Sequence, residues 1–179
     1  MNILIQGPPG IGKTTAIIKI ANLLTNPAGF YTEEIRDKNK RRVGFEIKDF
    51  EGEKGDLAYR DYKSPYRIGK YGVNIQEFEK IAIPAIQKGI REGKILLVDE
   101  IGKMEVFSDK FKREIIKALD SPTHVIATIP QKITPEIEKI LQGRDFRIIK
   151  ITRENRDKLP LVVLNLLKIK SSLYNKNYK

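Results

Sequence analysis

Residues Gly7-Pro8-Pro9-Gly10-Ile11-Gly12-Lys13-Thr14, with Thr15 after them, have the types and spacing of a phosphate cradle. Its glycines let the backbone curl so that several N–H groups face one anion, a conformation that a Cβ would oppose. Lys13 has the reach to contact β- and γ-phosphates, and the Thr14 hydroxyl can ligate Mg²⁺. This pattern implies that the chain binds a nucleoside triphosphate. A second group of capable residues closes the run Ile95-Leu96-Leu97-Val98-Asp99-Glu100. Asp99, at the carboxyl end of a buried strand, can hold Mg²⁺ through water. Glu100 beside it can orient, or take a proton from, a water attacking the γ-phosphorus; alternatively it is a surface glutamate paired with Lys103. Thr128 ends a later apolar run, where its hydroxyl either meets the γ-phosphate or attacking water or has no role. Transition-state charge calls for an arginine, and Arg36, Arg67, Arg153 and Arg156 are candidates among which the sequence does not choose.

These residues need elements to hold them. Asn2–Gln6 is a short apolar strand, and Lys13–Leu24 is a helix-prone run whose N-terminal partial charge would add to the anion site. Residues 30–36 and 42–47 alternate apolar and polar side chains about Asp37-Lys38-Asn39-Lys40, which predicts an antiparallel hairpin. Residues 51–73 predict short strands and loops near the active face. Asn74 with Glu77 marks a helix start before a stripe of Ile75, Phe78, Ile81, Ala82 and Ile86, with Pro84 expected to kink or divide that helix. Lys94–Glu100 and His124–Ile129 are buried strands. Ser108 caps a helix with an inner face of Phe111, Ile115 and Leu119. Thr134-Pro135 and Gly143 start and stop another. Residues 146–151 form a last strand, and a final helix is expected from Leu159 to about Leu173. Strands alternating with helices predict an α/β fold on a central, mostly parallel sheet with antiparallel additions, as a single domain over residues 1–179.

Composition limits the chemistry. With no cysteine, disulfides, thiolate metal sites and cysteine nucleophiles are excluded, and one histidine, His124, argues against a histidine zinc site. No apolar run is long enough to span a bilayer, and the amino-terminal residues enter a strand without a signal-like pattern, so a cytoplasmic chain without a membrane partner is expected. High Lys and Glu usage, two methionines and no tryptophan suit a heat-adapted protein. The net charge of +11 admits attraction to nucleic acid, but no aromatic-interleaved or helix-turn-helix pattern accompanies it, and nucleic acid is not the favoured partner. A monomer is expected.

The segments G-P-P-G-I-G-K-T-T, G-F-Y-T-E-E-I-R, R-V-G-F-E-I, D-E-I-G-K-M-E and T-R-E-N-R-D together resemble the small nucleoside-triphosphatase family of thermophilic prokaryotes, whose animal member is the cancer-related nucleoside-triphosphatase. The resemblance runs from Met1 to about Leu167. It implies a three-layer, RecA-like P-loop fold with an added strand and a catalytic glutamate. It further implies Mg²⁺-dependent hydrolysis of ATP, GTP and other nucleoside triphosphates with little base preference. On that likeness Pro8 to Thr15 and the segment Val98-Asp99-Glu100 form the nucleotide site, while residues 51–73 match less clearly. Beside this hydrolase reading stand a nucleotide or small-molecule kinase, whose acceptor pocket would be lined by residues 30–73, and an RNA-associated ATP switch.

Overall fold

A computed structural model describes residues 1–168 and shows a nine-stranded sheet sandwiched between helices. In chain order the elements are β1 (Asn2–Gly7), α1 (Lys13–Leu23), β2 (Ala28–Arg36), β3 (Arg42–Asp49), β4 (Lys54–Tyr59), β5 (Arg67–Ile68), β6 (Tyr71–Val73) and α2 (Ile75–Glu92). They continue with β7 (Leu96–Val98), a 3-10 turn at Glu105–Phe107, α3 (Asp109–Asp120), β8 (Val125–Pro130), α4 (Pro135–Leu141), β9 (Arg147–Lys150) and α5 (Leu159–Leu166). The strand order is β5-β6-β4-β3-β2-β7-β8-β1-β9. From β2 to β9 every pairing is parallel, whereas β2 through β5 form an antiparallel wing. The wing contributes as many pairings as the parallel half. The strand β8 lies between β1 and β7, which is the added strand that the resemblance implies.

Side-chain alternation divides the core into the expected layers. Ile3 and Ile5 of β1 and Leu97 of β7 point toward α1 and α5, joining Ile17, Ile20 and Val163. Leu4, Leu96 and Val98 point the other way, toward the helices carrying Phe78, Phe111 and Ile137. On that side Phe30, Phe78 and Phe111 meet edge to face, with ring centroids 5.3–6.1 Å apart, the geometry that aromatic quadrupoles favour.

The hairpin of β2 and β3 pairs Phe30 with Asp49 and Arg36 with Arg42. Its turn is built by Asp37, whose Oδ1 accepts from the N–H groups of Asn39 and Arg41. Asn74 caps α2 by accepting from the Glu77 N–H at 3.2 Å, and Ser108 caps α3 by accepting from that of Phe111 at 3.0 Å. Two expectations are corrected. Of the kink or division expected at Pro84, division does not occur: α2 runs unbroken for 18 residues. Pro84 is exposed while Ile81, Ala82, Ala85 and Ile86 around it are buried, so the missing N–H falls on the wet side and core packing keeps the helix whole. Helix α5 ends at Leu166 rather than near Leu173, with Lys168 in the left-handed region; the expected residues after 168 lie outside the described part. The short strands of residues 51–73 form the outer edge of the wing, with β3 and β2 separating them from β7.

Candidate active site

Loop 7–14 connects β1 to α1, and its shape follows from two contacts. Gly12 sits at φ 112°, where an L side chain is strained, and its carbonyl accepts from the Ala16 N–H at 2.9 Å to start α1. Ile11 is partly buried against the α1 and α5 core and anchors the loop. Pro9, Gly10 and Thr15 are exposed, while Pro8 and Thr14 are half-buried.

Lys13 is almost fully buried, at 9 % exposure. Its ammonium donates to the carbonyls of Gly7 at 2.9 Å and Pro8 at 3.4 Å and lies 3.3 Å from Glu100 Oε2. All three partners are oxygens, so phosphate oxygens arriving there would compete for the same charge. The sheet thus brings the loop lysine and the second carboxylate together, as the spacing alone could not show.

Asp99 leaves β7 with its carboxylate 2 % exposed, and the Asp99–Glu100 peptide is cis. Thr14 Oγ1 donates to Asp99 Oδ2 at 2.5 Å, and Thr128 Oγ1 donates to Asp99 Oδ1 at 2.6 Å. The Thr32 N–H of β2 is a further donor to the carboxylate. Burial lifts the Asp99 carboxyl above its ordinary range, opposed by those donors and by Lys13. One aspartate therefore ties the start of α1 to β8 and β2. Thr128, fully buried in β8, was expected either to meet the γ-phosphate or attacking water or to have no role. Its hydroxyl proton instead goes to Asp99, because β8 lies directly between the strands carrying the loop and the aspartate. Val98 is fully buried in the core on the α2 side, so it serves as the strand residue that carries Asp99.

Burial likewise raises the Glu100 carboxyl; Lys13 pulls against this and the Asp99 charge adds to it. A carboxylate with raised proton affinity is a stronger base. Asp99 Oδ2 and Thr14 Oγ1 are hard oxygen donors in contact, which fits Mg²⁺. Among the described residues no cluster of three His, Cys, Asp or Glu side chains could hold a metal alone.

Of the four candidate arginines, Arg156 lies beside the loop. A Cβ placed on Gly12 would lie 3.7 Å from Arg156 Cδ. The turn carrying it is fixed by Asn155, which accepts from the Thr152 N–H at 2.8 Å and donates to the Lys150 carbonyl at 2.8 Å. Arg36 is engaged with Glu34 and the Lys40 carbonyl on the hairpin, Arg67 bonds the Tyr62 and Lys70 carbonyls, and Arg153 and Arg156 are both exposed. Sequence reading passed over Glu105, which is buried at the start of the 3-10 turn. Its only signal was its place in D-E-I-G-K-M-E, among the apolar neighbours Met104, Val106 and Phe107.

A family profile described as NTPase matches residues 2–164. The chain is 46% identical to "Nucleoside-triphosphatase THEP1" of Thermotoga maritima, over 94% of this chain and 96% of that protein. It is 34% identical to the human "Cancer-related nucleoside-triphosphatase", over 88% and 92% of the two chains. In three dimensions it resembles the crystal structure of THEP1 from the hyperthermophile Aquifex aeolicus, with a TM-score of 0.85 and 39% identity over 94% of this chain and 99% of that one. The solution structure of the human cancer-related protein gives a TM-score of 0.80 at 31% identity, over 99% of each chain.

Proposed function

The chain belongs to the NTPase family, and from that membership we propose a nucleoside-triphosphatase in which water, oriented by Glu100, attacks the γ-phosphate. The observation that carries the reading is the meeting of Lys13 and Glu100 at 3.3 Å beside an aspartate bonded to Thr14. A triphosphate on the loop would put its γ-phosphate within reach of the one carboxylate suited to handle water.

Each residue then has a distinct task. The loop amides and Lys13 bind the β- and γ-phosphates and stabilise the charge that develops in an in-line displacement. Glu100 orients the water and accepts its proton. Thr14 and Asp99 would hold Mg²⁺, which when bound neutralises charge on the phosphate oxygens. Thr128 holds Asp99 in place rather than touching substrate. Arg156, beside Gly12, supplies positive charge at the mouth of the loop. Turnover of ATP, GTP, CTP and UTP with low selectivity is the breadth that the family resemblance implies. The setting we infer is a cytoplasmic, single-domain monomer; no helix among the described residues is long and apolar enough to cross a membrane.

The test is phosphate release from ATP, GTP, CTP and UTP, with Mg²⁺ or with EDTA, and with or without RNA or small-molecule alcohols as acceptors. Release from all four, abolished by EDTA and indifferent to the additions, is expected. A phosphorylated acceptor in place of free phosphate would establish a kinase, and a strong salt-sensitive stimulation by RNA would establish an RNA-coupled switch. Arg156→Ala is expected to lower kcat about tenfold or more, since an arginine on developing phosphoryl charge can contribute far more than that. An unchanged kcat in stopped-flow phosphate detection would remove Arg156 from the mechanism.

A further inference from the structure

Glu105 is 5 % exposed, yet among the described residues no Lys or Arg pairs with it. Burying a carboxyl group without a cation is costly, and an apolar side chain of similar size would fill the space more cheaply. Its position suggests what it does. Glu100 directs Oε2 at Lys13, and its other oxygen, Oε1, lies over Gly102. A Cβ on Gly102 would lie 2.6 Å from Glu100 Oε1 and 2.8 Å from Glu105 Oε2. The two carboxyl groups therefore converge on a space that only a glycine leaves open. The turn that presents Glu105 is closed by the Val106 N–H donating to the Gly102 carbonyl at 3.1 Å.

We propose that Glu105 is a positioning residue, which donates a carboxylic O–H to Glu100 Oε1 and so leaves Oε2 as the oxygen presented to water. The inference rests on the reading of Glu100 as the water-handling group. Burial, with the charges of Glu100 and Asp99 adding to it, lifts the Glu105 carboxyl to about 8, against the pull of the Gly102 and Glu105 N–H groups. Glu105 is therefore mostly protonated at neutral pH and a donor. Of the charged groups on and around the turn, Lys13 pairs with Glu100, Glu79 of α2 with Lys110 of α3, and Asp109 with Lys112, while Lys103 and Arg113 are exposed and do not pair with Glu105. As pH rises through about 8, Glu105 loses its proton and becomes a repelling charge beside Glu100.

The test uses the full chain and reads kcat and KM for ATP against pH in Glu105→Gln, Glu105→Ala, Glu100→Gln and the double variant Glu100→Gln/Glu105→Ala. Glu105→Gln keeps a neutral donor, so kcat within about threefold of wild type at neutral pH is expected, with the alkaline fall of wild type removed. Glu105→Ala should lose about tenfold in kcat with KM unchanged, and the double variant should be no slower than Glu100→Gln alone. A Glu105→Ala enzyme with wild-type kcat and pH profile, or a double variant with fully additive losses, overturns the proposal. Wild-type turnover by Glu100→Gln would instead remove the reading on which it rests. If Glu105→Ala does not fold, the pH profile of Glu105→Gln still decides: an alkaline limb identical to wild type rejects the role.

Discussion

Glu100→Gln is expected to slow phosphate release at least a hundredfold while leaving the nucleotide bound. The substitution preserves size and removes only the negative charge and the capacity to take a proton. General-base catalysis of this kind contributes about 10²–10⁴ in rate, so the lower bound corresponds to about 2.7 kcal/mol of barrier. Burial and the Asp99 charge both raise the proton affinity of Glu100, and the amide has no counterpart to that basicity. Binding should survive because Lys13 and the loop amides, which hold phosphate, and Thr14, which would hold Mg²⁺, are all untouched. Removing the 3.3 Å ion pair frees Lys13 for phosphate, so a slightly tighter nucleotide complex is the expected direction. Single-turnover phosphate release with a separate nucleotide titration distinguishes the two effects. A variant that hydrolyses at the wild-type rate would show that Glu100 is not the base.

Gly29→Ala is expected to prevent stable folding. Gly29 lies in β2 opposite Leu97 of β7, at φ 112°. A Cβ there would sit 1.9 Å from the Leu97 carbonyl oxygen and 2.8 Å from its carbon. Backbone in the centre of a sheet cannot yield by that much while keeping its ladder. A loss above about 4 kcal/mol follows, a large part of the roughly 5–15 kcal/mol that holds a domain folded. Gly52 provides the control. It has nearly the same φ, 107°, but nothing within 4 Å of the added atom. Gly52→Ala should therefore suffer only the conformational strain of about 1–2 kcal/mol, a Tm lowering of several degrees at about 2–4 °C per kcal/mol. Circular-dichroism melts of the two variants separate steric exclusion from backbone strain. Equal melting temperatures would show that the β2–β7 ladder can absorb the methyl group.

Local chemistry made much of this molecule legible in its sequence. The glycine loop, the Asn74 cap, the β2–β3 hairpin and the aliphatic run before Asp99 each depend on near neighbours, and each signals itself in a few residues. What escaped depends on distance along the chain. Pro84 sits in a stripe whose burial against the sheet outweighs one missing hydrogen bond, and burial is not a local property. Thr128 gives its proton to Asp99 because of where β8 enters the sheet, an order that no periodicity encodes. Arg156 was one of four equal candidates until the turn after β9 set it beside Gly12. Glu105 was hidden for a different reason. A glutamate among apolar residues reads as a surface break in a turn, and only the close approach allowed by Gly102 reveals it facing Glu100.

The sheet order also bears on how the protein is made. The phosphate loop follows β1, whose two partners are β8, beginning at Val125, and β9, ending at Lys150. A ribosome adding about 5–20 residues per second completes the loop roughly 7–30 s before it completes both neighbours of the strand that carries it. Until residue 100 is added Lys13 has no Glu100, and from then until β8 is made Asp99 waits for Thr128. Nascent chains interrupted before β8 would contain every residue of the loop and no assembled site, so hydrolysis begins only once β8 and β9 have been made.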